Sequence, residues 1–179
     1  MKETYIRVEC VETETGEPCG GYVCAIMMLF ALMLNVSPDI DMDQLSEMID
    51  KTKNSEVQKL LPAFINLGDI PKPDIYEADK NNHVCLYTEE EFYETIYDLS
   101  YIAELLMDVL NCQYSLKYKP FTIAEEDILY DDGYQVVISK ETYNARKDDY
   151  EYKNILDLLD ELDNECEDEG EDQDFYEFS

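Results

Sequence analysis

The chain has 179 residues, 45% of them hydrophobic, with 43 acidic side chains against 13 basic ones and a net charge of −30. That length fits one domain, or one domain with a small second lobe, and the apolar content allows a sizeable core. The charge excludes nucleic-acid binding, which needs Lys and Arg to displace counterions, and excludes attraction to anionic membranes.

Residues 3–11 alternate, with Ile6, Val8 and Cys10 on one face, which predicts a strand. The stretch "GEPCGGYVCAIMMLFALMLNVSP" follows, with an unbroken apolar run over 23–34. A bilayer span takes about 20 apolar residues, so this run is too short to cross one. A helix apolar all round is a core helix. We therefore expect a buried helix over 22–35, entered through the Gly20-Gly21 turn. Ser37-Pro38 should start a second helix reaching Lys51, with Met42, Leu45, Met48 and Ile49 as its inner stripe. A third is expected over 55–67, bent at Pro62 and stopped by Gly68. Residues 70–80, with two prolines, read as a loop and a boundary between lobes.

"HVCLY" (83–87) is a short strand, and Thr88 then caps a helix, with Glu91 completing a capping box. The stripe of that helix is Phe92, Ile96, Leu99, Ala103, Leu106 and Leu110. Strands are expected over 114–123 and 134–139, the latter entered by the turn Asp131-Asp132-Gly133. A last helix should run from Lys140 toward the tail, with Tyr152, Ile155, Leu159, Leu162 and Cys166 as a narrow seam. The seam is read as packing on the body; a homodimer contact is its other use. Residues after Cys166, "EDEGEDQDFYEFS", hold too little apolar material to fold alone and are expected to be disordered when free.

These elements predict an α+β fold, with a helical N-terminal part followed by a small antiparallel sheet packed with helices. The divisions are 1–72, mainly helical with one strand, 81–166, ending in a long helix, and an acidic tail over 167–179. The six cysteines sit mostly inside apolar or element-like stretches, and the first residues are acidic, unlike a secretory signal. A cytoplasmic protein with reduced thiols is expected.

Cys19 precedes a helix start, where a thiol pKa falls. With His83 and Asp98 it follows the order Cys, His, Asp, and "CGGYVCAIMM" is similar to the nucleophile helix of papain-like cysteine peptidases. That resemblance implies a thiol hydrolase using Cys19 and His83. The chain departs from the family's pattern: no glutamine precedes Gln44, and Asp98 falls within a helical stripe. "DIDMDQLSEMID" places Asp39, Asp41, Asp43 and Asp50 at EF-hand-like positions, but Gln44 stands where the turn needs glycine. Those acids fit the first turn of a helix better. No Gly-rich phosphate loop or Ser-His-Asp arrangement stands out, so neither cofactor, metal nor catalysis is expected.

The acidity is not confined to the tail. Residues 160–179 hold 11 acids and no base, which leaves 32 acids against 13 bases, −19, on the rest. The clusters we single out for partner binding are Glu125, Glu126 and Asp127, then Asp131 and Asp132, Asp148 and Asp149, and Asp157, Asp160 and Glu161. Fifteen tyrosines are spread among the acids. Carboxylates a few ångströms apart can imitate a nucleic-acid backbone, and tyrosines add flat area where bases would stack. By composition, and in the strand-to-polar-helix segment "VVISKETYNARKDDYEYKNILDLL", the chain resembles phage-encoded acidic anti-defence proteins, such as anti-CRISPR inhibitors and restriction-blocking DNA mimics. The resemblance implies an inhibitor that occupies the basic nucleic-acid groove of a nuclease in the host cytosol. An acidic adaptor protein is the remaining alternative.

Overall fold

The computed structural model describes residues 2–37, 40–68 and 73–177. Its first strand, β1 (Lys2–Glu12), is apolar on both sides: Ile6, Val8 and Cys10 face one way, Tyr5 and Val11 the other, and all are buried. A strand covered on both faces belongs inside a sheet, where successive side chains enter opposite layers. The sheet also contains β2 (Pro18–Gly21), β3 (His83–Thr88), β4 (Tyr114–Ala124), β5 (Ile128–Asp131), β6 (Gln135–Ser139) and β7 (Lys153–Asn154). Its order is β5-β6-β3-β1-β4-β7, with β2 also paired to β1, and every pairing is antiparallel.

This overturns the expected order of a helical N-terminal part followed by a small sheet. The fold is α+β, but the chain opens with a strand inside a seven-stranded sheet. β1 pairs with β4 along its whole length, from Lys2 opposite Ala124 to Glu12 opposite Tyr114. Alternation reports which faces of a strand are covered, not which distant strands flank it.

The helices are α1 (Tyr22–Met33), α2 (Met42–Lys51), α3 (Ser55–Gly68), α4 (Asp74–Ala78), α5 (Glu89–Glu94), α6 (Ile96–Val109), α7 (Lys140–Arg146) and α8 (Ile155–Glu177). The main core joins Val8, Phe30, Leu60, Phe92, Leu106 and Ile155 on one face of the sheet. A smaller cluster, including Tyr5, Phe121, Ile138 and Tyr143, fills the other. The main core thus draws on residues from both sides of the boundary expected at 72–81, and the two segments do not bury separate cores.

The apolar run forms α1, buried through Ala25, Ile26, Leu29, Phe30 and Ala31, while Leu32 is 51% exposed. Gly20 opens the way into it at φ +147, where a Cβ would stand 2.8 Å from Cys24 Cβ, so a larger residue does not fit. After the helix Asn35 turns left-handed at φ 56, a conformation asparagine tolerates. The second helix begins at Met42 rather than at Ser37, because Asp41 supplies the cap by accepting from Asp43 N at 2.8 Å. Pro38 and Asp39 lie outside the described residues.

The helix expected from Thr88 to Leu110 is two. Thr88 Oγ1 does accept from Glu91 N, at 3.3 Å. But the Thr95 hydroxyl donates to the carbonyls of Glu91 and Phe92, both at 3.1 Å, and the axis restarts as α6. The helix expected from Lys140 is also broken. Ser139 caps α7, a 3-10 turn follows over Lys147–Asp149, and β7 intervenes before α8. Of the expected seam, Ile155 is buried and Leu162 half-buried against the main core, where α8 meets α6. Cys166 is exposed, whereas Leu158, outside that seam, is also buried on α8. Helix α8 continues to Glu177, over residues expected as a disordered tail. Glutamate is a good helix former, and this segment is rich in it. Among the described residues no helix is long and apolar enough to cross a membrane.

Candidate functional site

Antiparallel pairing brings separate acidic stretches to one end of the sheet. Tyr5 lies opposite Thr88, Lys2 opposite Ala124, Tyr87 opposite Gln135, and Asp131 opposite Val136. The start of β1, the ends of β3, β4 and β5, and the start of β6 therefore meet. That end carries Glu3, the α5 acids Glu89, Glu90 and Glu91, the 3-10 turn Glu125–Asp127, and Asp131 with Asp132.

Their mutual field is felt by the groups among them. Burial, then the Glu3 hydrogen bond and the charges of Glu3, Asp131 and Glu125, push the Tyr5 hydroxyl up to about 12. Burial, then Glu94, Glu90 and Asp132, raise the Glu91 carboxyl. Glu3, Glu125 and Asp131 line a cavity of about 270 Å³ floored by Tyr5, Ile123 and Ile128. Leu129, Tyr130 and Tyr134 are exposed beside it. Two cations stand nearby: Lys2, and Arg146, whose Nη2 is 4.0 Å from Asp127 Oδ2.

The singled-out acids do not form one surface. Glu125, Glu126 and Asp131 are exposed at this end. Asp127 is half-buried beside Arg146. Asp132 holds the β5–β6 turn, accepting from Tyr134 N and Gln135 N at 2.9 Å and from Gln135 Nε2 at 3.3 Å. Asp148 and Asp149 sit on the 3-10 turn after α7, and Asp157, Asp160 and Glu161 on α8. From the sequence Glu89–Glu91 is one more acid cluster, not placed among the partner-binding residues, and Glu3 is not singled out, because only strand pairing brings them to this end.

The thiol set is engaged otherwise. Cys19 Sγ donates to Cys10 O at 3.1 Å, and His83 Nδ1 lies 2.8 Å from Asp79 O. Asp98 lies in the first turn of α6. Burial and the neighbouring Cys19 push the Cys10 and Cys24 thiols up, away from the reactive thiolate. Asp41 caps α2 and Asp43 stands in its first turn, and among the described residues no group of three or more His, Cys, Asp or Glu is arranged to hold a metal ion.

A buried charge network was not singled out from the sequence. Arg7 and Lys119 lie directly opposite one another on β1 and β4, an unfavourable like-charge pair. Glu9, next on the same face of β1, offsets it. Its carboxylate accepts from Arg7 Nε at 3.0 Å, from Tyr143 Oη at 3.1 Å and from Tyr152 Oη. Lys119 Nζ donates to Lys147 O at 2.8 Å and stands 4.0 Å from the centre of the Tyr152 ring. Burial opposes the Glu9 charge, but Arg7 and the hydrogen bonds from Tyr152, Arg7 and Tyr143 outweigh it and hold the carboxyl below its usual range. The signal available in the sequence was two charged residues, Arg7 and Glu9, alternating with the apolar positions of a strand.

No protein-family model, curated protein or solved structure matches this chain.

Proposed function

We propose that this chain is a non-catalytic inhibitor. In this reading it binds the basic nucleic-acid groove of a nuclease of the CRISPR or restriction type, in a bacterial cytoplasm, by standing in for the polyanion. The observation that carries the reading is the convergence of Glu3, Glu89–Glu91, Glu125, Glu126 and Asp131 on one exposed sheet end with few compensating cations. Neighbouring strands lie about 4.8 Å apart, which spaces strand-end carboxylates on a scale comparable with phosphates. Exposed Tyr130 and Tyr134 offer flat faces beside the charge.

The test is competition. The purified chain should displace DNA or RNA from the groove of a captured nuclease, and the complex should weaken as salt rises. A target complex that is insensitive to salt and leaves the groove open to nucleic acid would rule the reading out.

A further inference from the structure

A second cavity, of about 240 Å³, opens where the sheet parts. β3 pairs with β1 only at Tyr5 and Ile6, and β2 takes over the same edge from Glu9. Between them, at Arg7 and Val8, the edge of β1 has no strand partner. The gap is walled by Arg7, Val8, the first turn of α1, the middle of β3 and the α4 segment.

The chemistry of this wall is the reverse of the rest of the molecule. The chain holds 43 acids and 13 bases, yet the lining contains Arg7 and Lys80 and no carboxylate. Arg7 is fixed at two points, Nε on Glu9 and Nη1 on Cys85 O at 3.0 Å. Its Nη2 has no hydrogen-bond partner among the described residues. Glu9 is itself held by Tyr143 and Tyr152, so the guanidinium is set before any ligand arrives. Lys80 also lines the cavity, with Nζ 3.2 Å from Glu77 Oε2. The start of α1 adds positive potential of the same sign. Apart from Gln135, the remaining wall is mainly apolar or aromatic, with Val8, Val23, Leu86, and the rings of Tyr22 and Tyr87 with centroids 5.9 Å apart.

We propose that this cavity binds a small organic acid with a flat apolar body, its carboxylate on the open edge of Arg7 and its body against the Tyr22 and Tyr87 rings. A guanidinium presents parallel N–H groups that match a carboxylate, and an apolar wall with a few convergent polar groups is the usual make-up of a small-molecule site. The volume falls just below the about 300 Å³ where such sites commonly begin, which limits the ligand to roughly one ring and its acid. The inference does not rest on the inhibitor reading.

Benzoate is a suitable probe, with benzamide as its neutral isostere and inorganic phosphate as an anion without a body. Titration of the full chain, followed by calorimetry and by ligand-observed NMR, should detect benzoate but neither benzamide nor phosphate. Arg7→Lys should weaken benzoate at least tenfold, because the ammonium keeps the charge and loses the fork. Should that variant fail to fold, Lys80→Gln at the rim should weaken binding severalfold, and Val23→Trp, which fills the space, should abolish it. Equal binding of benzamide, tighter binding of phosphate, no binding of benzoate, or benzoate binding unchanged in both Lys80→Gln and Val23→Trp would each overturn the proposal.

Discussion

Tyr152 donates a hydrogen bond to Glu9 across 143 positions of the sequence, and this contact ties the segment before α8 to the strand that opens the chain. Glu9 is the carboxylate that Arg7 binds and the stronger of two, ahead of Asp148, that act on Lys119, and it is 5% exposed. Removing it leaves Arg7 and Lys119 opposed on the sheet, with Asp148 as the weaker remaining counter-charge to Lys119. Glu9→Ala should therefore cost about 3–5 kcal/mol in urea unfolding. Tyr152→Phe removes one donor to a charged acceptor and should cost about 1.5–3 kcal/mol. A Glu9→Ala cost no larger than that of Tyr152→Phe would mean that water reaches the cations.

The same network sets an alkaline limit. Burial and then Glu9 push the Tyr143 hydroxyl up to about 12, and Tyr152 is raised for the same reasons. A pKa raised on folding adds stability that is complete below the unfolded value, about 10 for tyrosine, and is lost as pH climbs through the folded value. Lys119, lowered by burial against the pull of Glu9, acts the opposite way, but it is one group against at least three tyrosines including Tyr5. Stability should hold to about pH 10 and fall steeply beyond it. Phenolate absorbance should then rise in step with unfolding measured by circular dichroism, rather than before it.

The local elements were legible because their signals are local. The six-residue stripe from Phe92 to Leu110 and the Thr88 cap could be read directly, and Phe92, Ile96, Leu99, Ala103 and Leu106 are all buried. The break at Thr95 was not legible, since a threonine in a helix has the same residue pattern whether its hydroxyl faces solvent or the preceding carbonyls. The order of the sheet was not legible either. Nothing near Lys2 indicates that Ala124 lies opposite it. The candidate surface inherits that limit: Glu125 and Asp131 were singled out as acids, and strand pairing alone joins Glu3 and Glu91 to them.

The apolar run gives a test at single-residue resolution. Leu29 is fully buried and Leu32 is 51% exposed on the same helix. Leu29→Asp places an unpaired charge in the core and should cost more than about 4 kcal/mol, enough to unfold a marginal domain. Leu32→Asp should stay within about 0.5 kcal/mol. Comparable losses at both positions would mean that Leu32 is covered in solution by another surface.

The end of α8 is opposed by its own charge. Its last turn holds no basic residue, and acids at a helix C-terminus face the negative end of the dipole. About 1 M salt screens such repulsion. The far-UV helix signal should grow on adding it, and the growth should vanish when residues 167–179 are deleted. The deletion should leave the melting temperature unchanged or slightly raised, because self-repulsion falls. A lower melting temperature would show that the end of α8 supports the body.

The acids of the sheet end and those of α8 should contribute unequally to partner binding. Glu125, Glu126 and Asp131 are exposed at the sheet end and share their field with Glu3. Lysine at these three positions inverts the surface that the inhibitor reading places in the groove. Association with a captured nuclease should slow by about tenfold or more, since complementary fields steer encounter, while dissociation changes less. Asp131 Oδ1 accepts from Gly133 N at 2.9 Å in the β5–β6 turn, so its reversal is read beside a melting-temperature control and beside the Glu125 and Glu126 pair alone. Asp132 must stay out of this set. It holds the β5–β6 turn through three hydrogen bonds, so its replacement would confound binding with folding. Asp157, Asp160 and Glu161 stand on α8 rather than at the sheet end, and their reversal should slow association only through the long-range field. That smaller effect should disappear at moderate salt, whereas the sheet-end effect should persist in part, because groups desolvated at an interface are screened less. If the α8 reversals slow binding more than the sheet-end reversals, the contact lies on α8, and the convergence of acids at the sheet end has no part in it.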